Sequence, residues 1–198
     1  MKKLIQQDPI IEVQLKRAVS VIKEGGVILY PTDTIWGIGC DATNSEAVSK
    51  IYKIKHREDS KALVTLVSDL DMLARYVEQI PAIALDLIEV NDAPMTLIYP
   101  KAQGLAHNAI ASDGSIAIRI PMNNFCRQLC RKARVPIIST SANISEEPSP
   151  KNFLSISEEI KGSVDHIVPP FVEEKNSTHK ASQIIKVELD GSIKIIRK

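Results

Sequence analysis

Short apolar runs of strand length recur along this chain between segments of helical period, and that alternation restricts its fold more than any other feature. "VILYPTDT", "ALVTLVSD", "MTLIYP", "SIAIRIP" and "VPIISTSA" read as strands. Between them, residues 11–24 place Ile11, Leu15, Ala18, Val19 and Ile22 on one helical face, and Gly25-Gly26 supplies the stop. "SEAVSKIYKIK" is a second helix, with Ser45 as N-cap and Val48, Ile51 and Tyr52 as its apolar stripe. "DLDMLARYVEQIP", "AIALDLIEV" and "NNFCRQLCRKAR" continue the series, and "WGIGC" reads as a turn. Asp190-Gly191 joins "SQIIKVEL" to "SIKIIRK" as a hairpin. Strands mixed irregularly with helices imply one α/β domain over residues 1–198, built on a twisted mixed sheet with flanking helices. The strand order does not follow from the pattern.

A chain of 198 residues buries enough surface to need no disulfide or metal staple. Three cysteines without dense spacing fit a reducing cytoplasm. No apolar run approaches membrane-spanning length, and the basic N-terminus meets Gln, Asp and Glu before any signal-peptide core. The formal net charge is +1, so any attraction for anions must come from a local cluster.

Four segments carry polar residues that packing does not explain. Thr32, Asp33 and Thr34 follow directly on a buried strand, where α/β sheets bind ligands, although Pro, Thr and Asp are also ordinary turn residues. Lys53, Lys55, Arg57 and Lys61 concentrate positive charge after the second helix, as a phosphate clamp or as a solvated helix end. In "SIAIRIP", Ile116, Ile118 and Ile120 face one way and Arg119 the other. There Arg119 meets either solvent, a buried carboxylate or a ligand anion. Ser139, Ser141 and Asn143 share parity, so an extended backbone turns three short hydrogen-bonding groups to one face, unless they bond their own turn.

Other chemistry is missing. Neither GxxxxGK[ST] nor GxGxxG occurs. Cys126 and Cys130, one helical turn apart without a third ligand, read as buried thiols. The four histidines are scattered, and Trp36 reads as packing. Basic groups and hydroxyls therefore converge without a catalytic acid–base pair.

In order, "GGVILYPTDTIWGIGCDA", "KIYKIKHR…SK", "SIAIRIP" and "PIISTSANIS" resemble the motifs of the YrdC-like threonylcarbamoyl-AMP synthases, from about Val21 to Ser145. The resemblance implies an open twisted sheet around a basic cavity. It also implies condensation of L-threonine, bicarbonate and ATP to threonylcarbamoyl-AMP and pyrophosphate, the former a donor for N6-threonylcarbamoyladenosine in tRNA. By motif, Lys55, Arg57, Lys61, Ser141 and Asn143 fall on the ATP side, and Thr32, Arg119 and Ser139 on the threonine side. A magnesium ion would accompany ATP, and a threonylcarbamoyl transferase machinery would act downstream. Three departures stand out: Glu58 after the KxR, Asn91-Asp92-Ala93-Pro94 before "MTLIYP" in place of a Trp-Pro-Gly-Pro, and Glu146 after Ser145. The competing readings are a relative that binds tRNA or double-stranded RNA without synthase activity, and a carbamoyl-handling enzyme. A basic stripe with interleaved aromatics, which would favour RNA, is missing.

Overall fold

The computed structural model describes residues 8–57 and 63–198. Lys61 and Glu58 lie outside them. Helix α1 (Pro9–Lys23) begins two residues earlier than the apolar period suggests. Asp8 accepts from the Ile10 amide, and Pro9 stands in the first turn, where its missing N–H costs nothing. Strands β1 (Ile28–Tyr30) and β2 (Gly37–Gly39) follow. The second of these corrects the turn expected at "WGIGC". Two glycines look like turn residues, but here they let β2 lie hard against its neighbour. A Cβ on Gly39 would collide with the Ile138 carbonyl oxygen, and one on Gly37 would stand 3.0 Å from the Thr140 carbonyl oxygen.

Helix α2 (Ser45–Ile54) is capped by Asn44, whose side chain takes the Glu46 and Ala47 amides; Ser45 is the first helical residue, not the cap. After β3 (Val64–Leu66), the helix expected up to Pro81 amounts to a single turn, α3 (Leu70–Leu73), capped by Asp69. The chain then leaves helix so that Val77 can bridge Ala102. Helix α4 (Ala82–Val90), β4 (Met95–Tyr99), β5 (Ile116–Arg119), α5 (Asn124–Ala133) and β6 (Ile137–Ser141) fall where the pattern puts them. Then come α6 (Glu158–Gly162), β7 (His166–Ile167) and the hairpin of β8 (Gln183–Val187) and β9 (Ile193–Arg197), with Gly191 at φ 84° in its turn.

Among the described residues nine strands form one mixed sheet in the order β7-β1-β2-β6-β3-β5-β4-β8-β9. Only β1–β7, β3–β5 and β4–β8 are parallel pairs. Apolar side chains leave it on both faces. Ile28 and Tyr30 join Leu15 and Ile22 of α1 and Phe125 and Leu129 of α5. Leu29, one residue out of phase, joins Val48, Ile51 and Tyr52 of α2. Trp36 packs there as expected, its ring tilted on Phe153 at 4.9 Å. Register then sets the site: Val64 lies between Ala117 and Ser139, Leu66 beside Arg119, and Gly37 beside Ser141. No described helix is long and apolar enough to cross a membrane.

Candidate functional site

A cavity of about 290 Å³ opens where β2, β3, β5 and β6 come together, at the small end of the range for ligand sites. Thr32, Arg57, Arg119, Ser139 and Ser141 line it, five of the eight positions singled out from the sequence. No carboxylate is in its wall among the described residues.

Arg119 stands at the end of β5, buried on both sides of the sheet. Of the alternatives open for it, the structure shows the buried carboxylate: Nη1 is 3.0 Å from Oδ1 of Asp33, and the two side chains are 4% and 5% exposed. The same nitrogen donates to Oγ1 of Thr34 at 3.1 Å. Nε is buried with no hydrogen-bond partner. Asp33 thus holds one edge of the guanidinium and leaves donor capacity beside the cavity.

Asp33 is itself fixed. Its Oδ2 accepts the Met122 amide at 2.8 Å, just beyond β5, and its carbonyl accepts the Thr178 amide at 3.0 Å. Ser177 Oγ donates to the Thr32 carbonyl at 2.8 Å. The Thr32 hydroxyl serves its own turn, donating to the Ile35 carbonyl and accepting the Thr34 amide. At this position the turn reading holds, and the same residue also lines the cavity.

Lys55 and Arg57 go different ways. His56 between them has φ 48°, a left-handed kink that sends the neighbouring side chains apart. Arg57 is half-buried and reaches the cavity, its pKa lowered by desolvation. Lys55 turns beneath β6: Nζ donates to the carbonyls of Ser141 and Asn143 at 2.7 and 2.6 Å. Burial, and then the Arg57 charge, push its pKa down to about 8. Asn143 points back into its own turn, donating to the carbonyls of Ile144 and Glu147.

Three polar wall residues that lie after β6 in the chain escape a reading of the sequence. Ser182 and Arg197 come from the segment at β8 and from β9; Arg197 Nε donates to the Ser182 carbonyl at 2.9 Å. Desolvation, and then the nearby Arg119 charge, lower the Arg197 pKa. A register shift between Ile184 and Ile185 pairs Ile184 with Arg197 on the cavity side. The only sequence signal for it is the basic end of "IKIIRK". Ser149, beyond β6, completes the set.

The fold and this cleft, lined by arginines and hydroxyls, define a mixed α/β protein with its cavity at the ends of central strands. The comparisons then place it: a Sua5/YciO/YrdC family model, described as "Telomere recombination", matches residues 20–198, and the chain belongs to that family. It is 30% identical over 159 residues to a threonylcarbamoyl-AMP synthase of Xanthomonas euvesicatoria, covering 79% of this chain and 85% of that protein. It is 32% identical over 152 residues to the threonylcarbamoyl-AMP synthase of Pseudomonas aeruginosa, covering 76% and 82%. Among solved structures, Sua5 of P. abyssi complexed with L-threonine superposes with a TM-score of 0.81 at 26% identity. That match covers 89% of this chain and about half, 51%, of the other. E. coli YciO shares the fold with a TM-score of 0.78 at 22% identity, over 96% and 91%.

Proposed function

We propose that this protein is a threonylcarbamoyl-AMP synthase, condensing L-threonine, bicarbonate and ATP. The observation that carries the reading is one cavity lined by arginines of different build together with Thr32, Ser139 and Ser141: Arg119 is braced by Asp33, and Arg57 is half-buried. The names of the relatives support the same substrates.

The braced arginine suits a carboxylate, which a planar guanidinium meets edge-on, so threonine lies against Arg119, Thr32 and Ser139. Arg57 and Ser141 suit phosphate oxygens, with Lys55 and Asn143 in the same nucleotide half; Lys61 is assigned there by motif alone. The threonine amine adds to bicarbonate with loss of water, giving a carbamate. A carbamate oxygen attacks the α-phosphorus of ATP, forming the P–O bond of the mixed anhydride as the bond to pyrophosphate breaks. No enzymic nucleophile is required. The protein aligns the two reactants and offsets charge, which is where catalysis of nucleotidyl transfer resides.

Among the described residues no three His, Cys, Asp or Glu gather to hold a metal. Magnesium would enter as an ion carried on the triphosphate, which is how it commonly binds. There it would neutralise developing phosphate charge, and Arg57 would meet the oxygens it leaves free. The product would serve tRNA modification in the cytoplasm, through a transferase acting next.

The test is pyrophosphate release from ATP with magnesium and bicarbonate, with and without L-threonine, against L-serine. Release that requires both threonine and bicarbonate supports the assignment. Measurable ATP binding without release would overturn it.

A further inference from the structure

Two residues that motif assigns to ATP, Lys55 and Asn143, are not among those that line the cavity. Lys55 is 3% exposed and, with Asn143, is missing from the cavity wall that Arg57 and Ser141 line. Two N–H bonds of its ammonium go to backbone carbonyls of Ser141 and Asn143, 2.7 and 2.6 Å away. The traffic runs both ways, because the Ser145 amide donates to the Lys55 carbonyl at 2.9 Å. Asn143 then ties the same turn from within: its amide group donates to the carbonyls of Ile144 at 2.9 Å and Glu147 at 2.7 Å. Glu146, at φ 72°, bends the chain sharply enough for that second bond.

We propose that Lys55 and Asn143 are positioning residues, which build the turn 141–147 and through it aim Ser141 and the cavity edge, while Arg57 and Ser141 make the ligand contacts. Carbonyl oxygens stacked in a turn repel one another, and a buried ammonium placed among them removes that repulsion. A carbonyl has no side chain to change, so the arrangement is secured by a donor brought from elsewhere, here a long cationic one. Helix α2 supplies it, at its C-cap, and the left-handed His56 then frees Arg57 to turn the other way. The effect on turnover rests on the synthase reading; the architecture of the turn does not.

The experiment compares Lys55→Met and Arg57→Met with wild type, by hydrogen exchange of the ligand-free protein and by steady-state kinetics. Lys55→Met is expected to speed exchange across 143–147, Ser145 above all, by about tenfold or more. It should lower kcat by roughly tenfold to a hundredfold with a smaller change in the KM for ATP. Arg57→Met is expected to leave that exchange as in wild type and to raise the KM. Unchanged exchange in Lys55→Met together with a raised KM would overturn the proposal and make Lys55 a phosphate ligand. Should Lys55→Met not fold, wild-type protein labelled with 15N-lysine decides. An Nζ resonance unmoved by a non-hydrolysable ATP analogue supports the positioning role, and a large shift overturns it. If pyrophosphate release is never seen, the exchange and resonance results still stand, so the two readings fail separately.

Discussion

Replacing Asp33 by alanine removes the carboxylate that faces a guanidinium buried to 4% exposure, at an N–O separation of 3.0 Å. Orphaning one partner of such a pair costs about 3–5 kcal/mol, because the surviving charge is left in a medium that solvates it poorly. The Met122 amide, which gives Asp33 a 2.8 Å hydrogen bond, loses its acceptor as well, a further cost of about 1–3 kcal/mol that overlaps the first. Against a total stability of about 5–15 kcal/mol, Asp33→Ala is expected to lose about 4 kcal/mol and to be marginal at 37 °C. Urea unfolding at constant m-value measures it. Asp33→Asn separates the two causes, since an amide oxygen can keep the Met122 bond while the charge is lost. In the double variant Asp33→Asn/Arg119→Met no charge remains, and much of the lost stability should return. A loss below about 1 kcal/mol for Asp33→Ala, or strict additivity in the double variant, would show that the pair is not the brace described here.

Arg119→Met should weaken threonine binding by titration calorimetry far more than ATP binding, and Arg57→Met the reverse; the opposite split would exchange the two assignments. Gly39→Ala should destabilise by several kcal/mol, since its Cβ meets the Ile138 carbonyl oxygen, which belongs to a paired strand and cannot swing aside. Thermal unfolding reads it, and a near-neutral result would mean β2 and β6 pack less closely than they do here. For Lys55 the folded pKa, about 8, lies below the ordinary value of 10.5, so the unfolded chain binds more protons between those values. Its burial cost is therefore complete below pH 8 and relieved as pH rises to 10.5. Wild type should gain up to about 3 kcal/mol on Lys55→Met across that window, less whatever its carbonyl bonds restore to the charged form. A flat difference would refute the linkage.

Elements with a full apolar period were legible. Helix α5 and strand β5 needed no more than the spacing of Phe125 and Leu129, or of Ile116 and Ile118. What was not legible depended on partners far along the chain. Gly37 and Gly39 signal a turn by type, and only the closeness of β6 makes them a strand. Residues 74–81 have helical composition, yet the bridge from Val77 to Ala102 draws them out of helix. The site followed the same division. Thr32, Arg119, Ser139 and Ser141 were marked by polarity on or just after strands, Arg57 by the charge cluster after α2, and they meet. Arg197 gave almost no signal, because its direction is set by an irregularity in β8–β9 pairing that single-sequence alternation cannot place. Asp33 was marked, but its task of bracing Arg119 required knowing what lay across the sheet.

Strand β6 is hydrogen-bonded along both edges, to β2 on one side and β3 on the other. On it, Ile138 is wholly buried in the apolar core while Ser139 lines the cavity. Because neighbouring residues of a strand face opposite ways, losing one residue just before it would send the isoleucine into the cleft and the serine into the core. Foldability and ligand recognition are therefore written in the same register. A lesion there would be seen as missing protein before it could be seen as a slow enzyme, and change along this wall is open only to substitutions that keep the count of residues.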